Sequence, residues 1–234
     1  MTRRLTLIIP STATLGSLVL GVSAIMVLGQ QEFLLAAIFI IIGSLLDVLD
    51  GQLAERLNAT TNIGKELDSL ADMVTFGVAP TLLLYHLMRV IGVAEPIAMA
   101  SSLSFVVAGA YRLARFNTQP TNRAAFFIGM PIPVASLLLI TGSFWQGWIL
   151  NLWWVVAVVT VSYLMVSPFP YPKFKHIQQL SDLAWLLAAC VAFLCWIVSG
   201  WQAVPFGLLL LYACSGPLIA SAFPTNFLFG SKAS

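Results

Sequence analysis

Residues 45–80 read LLDVLDGQLAERLNATTNIGKELDSLADMVTFGVAP. Four aspartates, Asp47, Asp50, Asp68 and Asp72, stand at fixed spacing in this largely apolar sequence. An ionisable group at membrane depth costs about 2.5–3.5 kcal/mol and marks a functional site by default. Asp47 and Asp50 are three residues apart, Asp68 and Asp72 four, so on two helices each pair projects from one face. Four carboxylates facing one another repel and need a cation. Ligation by oxygen alone points to Mg²⁺ or Mn²⁺ rather than to zinc.

The rest of the chain sets the context. Of its 234 residues, 59% are hydrophobic and only 9% charged, the composition of a polytopic membrane protein. A net charge of +2, with no run of five like charges, is too small and too dispersed to suggest nucleic acid as a partner. Cys190, Cys195 and Cys214 lie in apolar runs without zinc-ligand spacing and read as reduced, lipid- or core-facing residues. His86 and His176 are isolated and read as helix-end or interfacial residues. Arg3 and Arg4 precede an apolar run that reaches about Gly29 and is followed by further spans. It therefore reads as an uncleaved first transmembrane helix rather than a signal peptide.

Eight apolar segments can be drawn, at about 6–28, 33–57, 65–91, 95–115, 129–145, 149–167, 181–200 and 203–222. Short turns are expected at Gly29 to Glu32, Trp145 to Gly147 and Ser199 to Gln202. The expected fold is all-α, a polytopic transmembrane bundle formed as a single domain over 1–234. A six-helix core over about 1–175 carries the acids, and two further spans occupy about 176–234. Arg3, Arg4, Arg56, Lys65, Arg112, Arg115, Arg123, Lys173, Lys175 and Lys232 then share one side, and only Arg89 lies on the other. That bias places both termini and the four aspartates at the cytoplasmic face. Trp145, Trp148, Trp153 and Trp154 read as an interfacial belt. Lys173 and Lys175 read as an anchor to anionic headgroups, and Pro131 and Pro133 as helix-start residues.

Asp47, Asp50, Gly51, Ala54, Gly64, Asp68 and Asp72 fit the pattern D-x2-D-G-x2-A-R-x8-G-x3-D-x3-D at every spacing. This resembles the signature of the CDP-alcohol phosphotransferase family. The one departure is Glu55, where the family has Arg; Arg56 follows, about 100° further round a helix. Within the family, GKELDSLADMVTFGVAP (64–80), AYRLARFN (110–117), FIGMPIPVAS (127–136) and LMVSPFPYPKFK (164–175) are similar to segments of the phosphatidylserine synthase branch. IIPSTATLGS near the N-terminus resembles the opening of that branch's first helix, with Ser11 where Asn is usual. The resemblance covers about the first 175 residues.

The resemblance implies transfer of a phosphatidyl group from CDP-diacylglycerol to L-serine, in a homodimeric enzyme of a bacterial inner membrane. Divalent metal would be held by Asp47, Asp50, Asp68 and Asp72, with Asp72 also the general base. Gly51, Ala54, Arg56, Thr61, Gly64 and Thr14 are the expected CDP-lipid contacts. Arg112, Arg115, Asn117 and Lys65, with Glu66 beside them, are the expected acceptor contacts. The same chemistry with inositol phosphate, glycerol 3-phosphate or choline is a rival. So are a divalent-cation carrier and, given Glu55, an inactive relative. Arg112 and Arg115 can equally be a topology signal, and Gly51 and Gly64 can serve helix packing.

Overall fold

The computed structural model describes residues 3–56, 61–118, 126–144, 151–172 and 203–222. Helix α1 spans Arg3–Leu28 and α2 spans Phe33–Arg56. Between them Gln30 and Gln31 donate backbone N–H groups to the carbonyls of Val27 and Leu28, and Gln31 takes a positive φ of 62°. This is the tight turn expected at Gly29 to Glu32.

The third apolar segment is built in three parts: α3 (Asn62–Asp72), a π-helical turn (Met73–Val78) and α4 (Ala79–Val90). The N–H of Ala79 reaches back five residues to the carbonyl of Val74. A π turn accommodates an extra residue, and each residue turns a helix by about 100°. The face carrying Asp68 and Asp72 is thereby freed from the phase of α4, which buries Leu83, Leu84 and Met88 at the centre of the bundle.

Lipid tails give apolar helices no hydrophobic reason to associate, so close packing at small residues must hold them together. Thr75 in the π turn shows how. A Cβ on Gly21 of α1 would lie 2.5 Å from Thr75 Oγ1, and one on Gly43 of α2 would lie 2.8 Å from Thr75 Cγ2. Thr75 therefore sits in a notch between the two helices, and its hydroxyl donates to the carbonyl of Ser17 at 3.0 Å.

A turn at Gly92 (φ 87°) leads into α5, Glu95–Thr118. Then follow strand β1 (Phe126–Ile128), α6 (Ile132–Phe144), α7 (Asn151–Val166), strand β2 (Pro170–Pro172) and α8 (Val204–Ala222). The two strands pair antiparallel, Phe127 opposite Tyr171, an addition to the all-α expectation. Pro131 accepts the first turn of α6 through Ala135, and Pro133 is its second residue. Trp153 is 63% exposed, as a belt residue should be, whereas Trp154 is 4% exposed and packs near Gly142. His86 lies among the rings of Phe33 and Tyr85.

Phe33–Leu53, Ile63–Val90 and Glu95–Thr118 are long and apolar enough to cross a bilayer, and the chain is an integral membrane protein. Thr12–Leu28, Ile132–Phe144, Trp153–Val166 and Val204–Ala220 are shorter apolar helices. The segment expected at 181–200 lies outside the described residues, as do Arg123, Trp145, Trp148, Lys173, Lys175, His176, Cys190, Cys195 and Lys232. Cys214, on α8, is exposed.

Hydrogen bonds tie α8 to β2. Pro217 interrupts its hydrogen-bond ladder because proline has no N–H to offer the carbonyl four residues back. That carbonyl belongs to Ala213, and the Tyr171 hydroxyl donates to it at 3.0 Å. In return, the Tyr212 hydroxyl donates to the carbonyl of Pro172 at 3.0 Å. Gly216 has no side chain where the Tyr171 ring lies against the helix.

Candidate active site

Helix α2 carries Asp47 and Asp50, and α3 carries Asp68 and Asp72. The structure sorts them into three and one. Carboxylate oxygens of Asp47, Asp50 and Asp68 all lie within 4.8 Å of one another. Asp72 stands beside this cluster, near enough to Asp47, Asp68 and the Arg112 guanidinium for their charges to act on it.

Three carboxylates at that separation, with no Lys or Arg within 4.0 Å among the described residues, form a site of strongly negative potential. The donors are hard oxygens, brought near the span that a cation binding oxygen at about 2.0–2.6 Å requires. The residues therefore fit a hard divalent cation, and Asp47, Asp50 and Asp68 would hold it.

Thr14 has a role that its place on α1 did not reveal. It is 6% exposed, and its hydroxyl donates to Asp50 Oδ2 at 2.6 Å. Asp50 is itself 4% exposed, so this charge-assisted bond fixes a carboxylate that is largely closed off from solvent. Thr61 caps α3: its side chain accepts the N–H of Gly64 at 2.9 Å. A Cβ on Gly64 would approach that same oxygen at 3.0 Å. A Cβ on Gly51 would meet nothing within 4 Å among the described residues. Gly51 thus faces open space rather than a packed helix. Ala54 and Arg56 lie in the last turn of α2.

The basic and amide residues on α5 divide as well. Arg112 is 7% exposed, its Nε has no hydrogen-bond partner, and its Cζ sits 5.8 Å from the centroid of Phe116. Arg115, on the next turn, is a clamp. Its Nη1 donates to the carbonyl of Val166 at 2.8 Å and its Nη2 to that of Ile128 at 2.8 Å. The last carbonyls of a helix have no partner within it, and here a guanidinium supplies one for α7 while also holding β1. Gly129 makes room for the clamp: its φ is +79°, and a Cβ would fall 2.5 Å from Arg115 Nη2. Asn117 Nδ2 donates to Ser69 Oγ at 3.0 Å, tying α5 to α3 beside Asp68. Lys65 is exposed on the first turns of α3. The Asn117–Ser69 bond and the Arg115 clamp join segments far apart in the chain, so no local pattern marks them.

The sequence model of the CDP-alcohol phosphatidyltransferase family matches residues 7–165. That stretch is more than half of the chain and holds all four acids, Thr14, Arg112 and Arg115. The chain belongs to this family.

Within the family, its relatives include proteins named CDP-diacylglycerol–serine O-phosphatidyltransferase. The protein of that name from Bacillus subtilis (strain 168) is 39% identical over 167 residues, covering 71% of this chain and 91% of that one. The one from Mycobacterium leprae (strain TN) is 33% identical over 223 residues, 90% of this chain and 73% of its own. An archaeal relative of the same name, from Methanocaldococcus jannaschii, is 33% identical over 165 residues, 70% of this chain and 73% of its own.

Proposed function

We propose that this protein transfers the phosphatidyl group of CDP-diacylglycerol to L-serine, giving phosphatidylserine and CMP. The observation that carries the reading is the separation of three clustered carboxylates from a fourth, which stands beside them under the influence of a buried arginine. The serine acceptor is supported by the names of the relatives.

Asp47, Asp50 and Asp68 are the metal ligands in this reading, with Asp72 at the edge of the same site. Bound Mg²⁺ or Mn²⁺ supplies charge neutralisation of the pyrophosphate and of the departing phosphate oxygen. Thr14 holds Asp50 in its ligating rotamer. The open space over Gly51 admits the nucleotide, and Thr61 and Gly64 shape the start of α3 on the same side. Ala54 and Arg56 lie further along α2, toward the mouth.

Asp72 is the general base. It takes the proton of the serine hydroxyl as that oxygen bonds to the phosphorus bearing the diacylglycerol, and the bond from that phosphorus to the CMP oxygen breaks. Arg112 receives the serine carboxylate, for which a buried guanidinium with an unused donor is suited. Asn117 and Lys65 stand at the rim of that pocket, and Arg115 holds the wall from which Arg112 projects. No nucleophilic Ser, Cys or His is paired with a base in the motif, which favours direct transfer over a covalent enzyme.

In an eight-span arrangement ten of the eleven basic residues would fall on the side of the acids, the bias that favours a cytoplasmic site. The bacterial inner membrane and a homodimer complete the proposal and rest on the family resemblance.

The test is CMP release by purified protein from CDP-diacylglycerol with Mg²⁺ or Mn²⁺, comparing L-serine, glycerol 3-phosphate, inositol phosphate, choline and no acceptor. Serine-dependent release with phosphatidylserine as product is expected. Release with another acceptor alone would keep the chemistry and overturn the acceptor. Metal flux without turnover would favour a carrier.

A further inference from the structure

Thr75 lies in the π turn, three residues after Asp72, and is fully buried. No acid sits at its position, yet it touches both of the helices that hold Asp50 in place. A Cβ on Gly43 of α2 would come within 2.8 Å of its methyl carbon, and its hydroxyl donates to the Ser17 carbonyl of α1 at 3.0 Å. Ser17 is interior to α1, where the helix's own ladder already supplies its carbonyl with a partner. The Thr75 bond is therefore an additional tie between elements, not the repair of a bare group. Ser17 lies one turn beyond Thr14, about 4.5 Å along the axis, and both residues are buried. Thr14 in turn donates to Asp50 Oδ2 at 2.6 Å, at the short end of the range for hydroxyl donors. In lipid no hydrophobic force fixes the height or rotation of an apolar helix, so a bond this short needs an anchor nearby. Ser17 Oγ does not provide it: among the described residues it has no hydrogen-bond partner.

We propose that Thr75 is a positioning residue for the metal site: its hydroxyl pins α1 one turn from Thr14, so that Thr14 meets Asp50 and holds it facing Asp47 and Asp68. This rests on the reading of Asp47, Asp50 and Asp68 as ligands of a divalent cation. It also gives the π turn a task, that of presenting Thr75 to α1 directly after the helix that carries Asp68 and Asp72.

Thr75→Val keeps the bulk of the side chain and removes only the hydroxyl. Binding of Mn²⁺ to the purified protein, read as loss of the free-ion EPR signal, needs no turnover. The expected result is an affinity lowered roughly three- to tenfold, less than for a direct outer-shell partner such as Thr14. Thr75→Ser restores the hydroxyl and should recover the affinity. Ser17→Ala keeps the carbonyl and removes only an unpartnered hydroxyl, and should bind Mn²⁺ as the unaltered protein does. In a Thr14→Val background, Thr75→Val should add nothing further, because its effect passes through Thr14. A merely structural role would lower the Tm of metal-free Thr75→Val and leave its Mn²⁺ affinity unchanged, or would lower affinity by the same factor in both backgrounds. Either result would overturn the inference while leaving Mn²⁺ binding and serine-dependent CMP release by the unaltered protein intact. Absence of Mn²⁺ binding by the unaltered protein would overturn the ligand reading, and this inference with it.

Discussion

The two ends of the long helical segment Ile63–Val90 handle charge in opposite ways. At the α4–α5 end, Arg89 donates to the carbonyl of Val93 at 2.8 Å and lies 3.8 Å from Glu95, with both side chains well exposed. Those charges are satisfied locally, in a turn closed by Gly92. At the α3 end, four carboxylates converge, and the nearby buried arginine lies beyond ion-pair distance. A protein that can pair an exposed charge within six residues, yet leaves four acids facing one another, is holding them for something else. The contrast is the physical support for the proposal that the α2–α3 end is the working end.

The largest effect should come from the acid that stands apart. Asp72→Asn is expected to lower kcat roughly 10²–10⁴-fold, the usual worth of a general base, while Mg²⁺ or Mn²⁺ still raises Tm. Loss of the metal-dependent Tm shift in that variant would erase the distinction between three acids and one. Next, Thr14→Val removes the bond to Asp50, and divalent-metal affinity should fall about 10–100-fold, as for other outer-shell partners. A titration of Tm against metal concentration reads this without turnover.

Gly129→Ala should cost about 1–3 kcal/mol from its positive φ alone, with the Arg115 clamp also displaced. Thermal unfolding would show it, and activity per folded molecule should follow more weakly. Smallest of all, Glu95→Gln at the satisfied end should shift stability by less than about 0.5 kcal/mol and leave the kinetics unchanged. A large loss of activity there would break the contrast between the two ends.

Much of this was legible in the sequence. Apolar run lengths located α1, α2, α5, α6, α7 and α8 to within a few residues, because a bilayer imposes length on any helix that crosses it. The spacing of the acids placed them on two facing helices, since the period of a helix is fixed. The π turn was not legible: MVTFGV is apolar throughout, so one inserted residue leaves no mark on its pattern. The β1–β2 ribbon was hidden for another reason, as three-residue strands with prolines at 170 and 172 carry almost no pairing signal. Arg112 and Arg115 share a helix face by spacing, yet one is buried near the acids and the other caps α7. That division depends on where β1 and α7 pack, which no local pattern encodes. Thr14 is expected among the CDP-lipid contacts, and its bond to Asp50 was not legible because it spans 36 residues.

Pro217 has a consequence for how the chain assembles. A uniformly apolar helix in lipid is nearly free to spin about its axis, for no face prefers one neighbour to another. By withholding one N–H, Pro217 leaves the carbonyl of Ala213 bare, and among the described residues Tyr171 answers it. The proline thus acts as a key cut into the barrel of α8, admitting one angular setting of the helix out of a full turn.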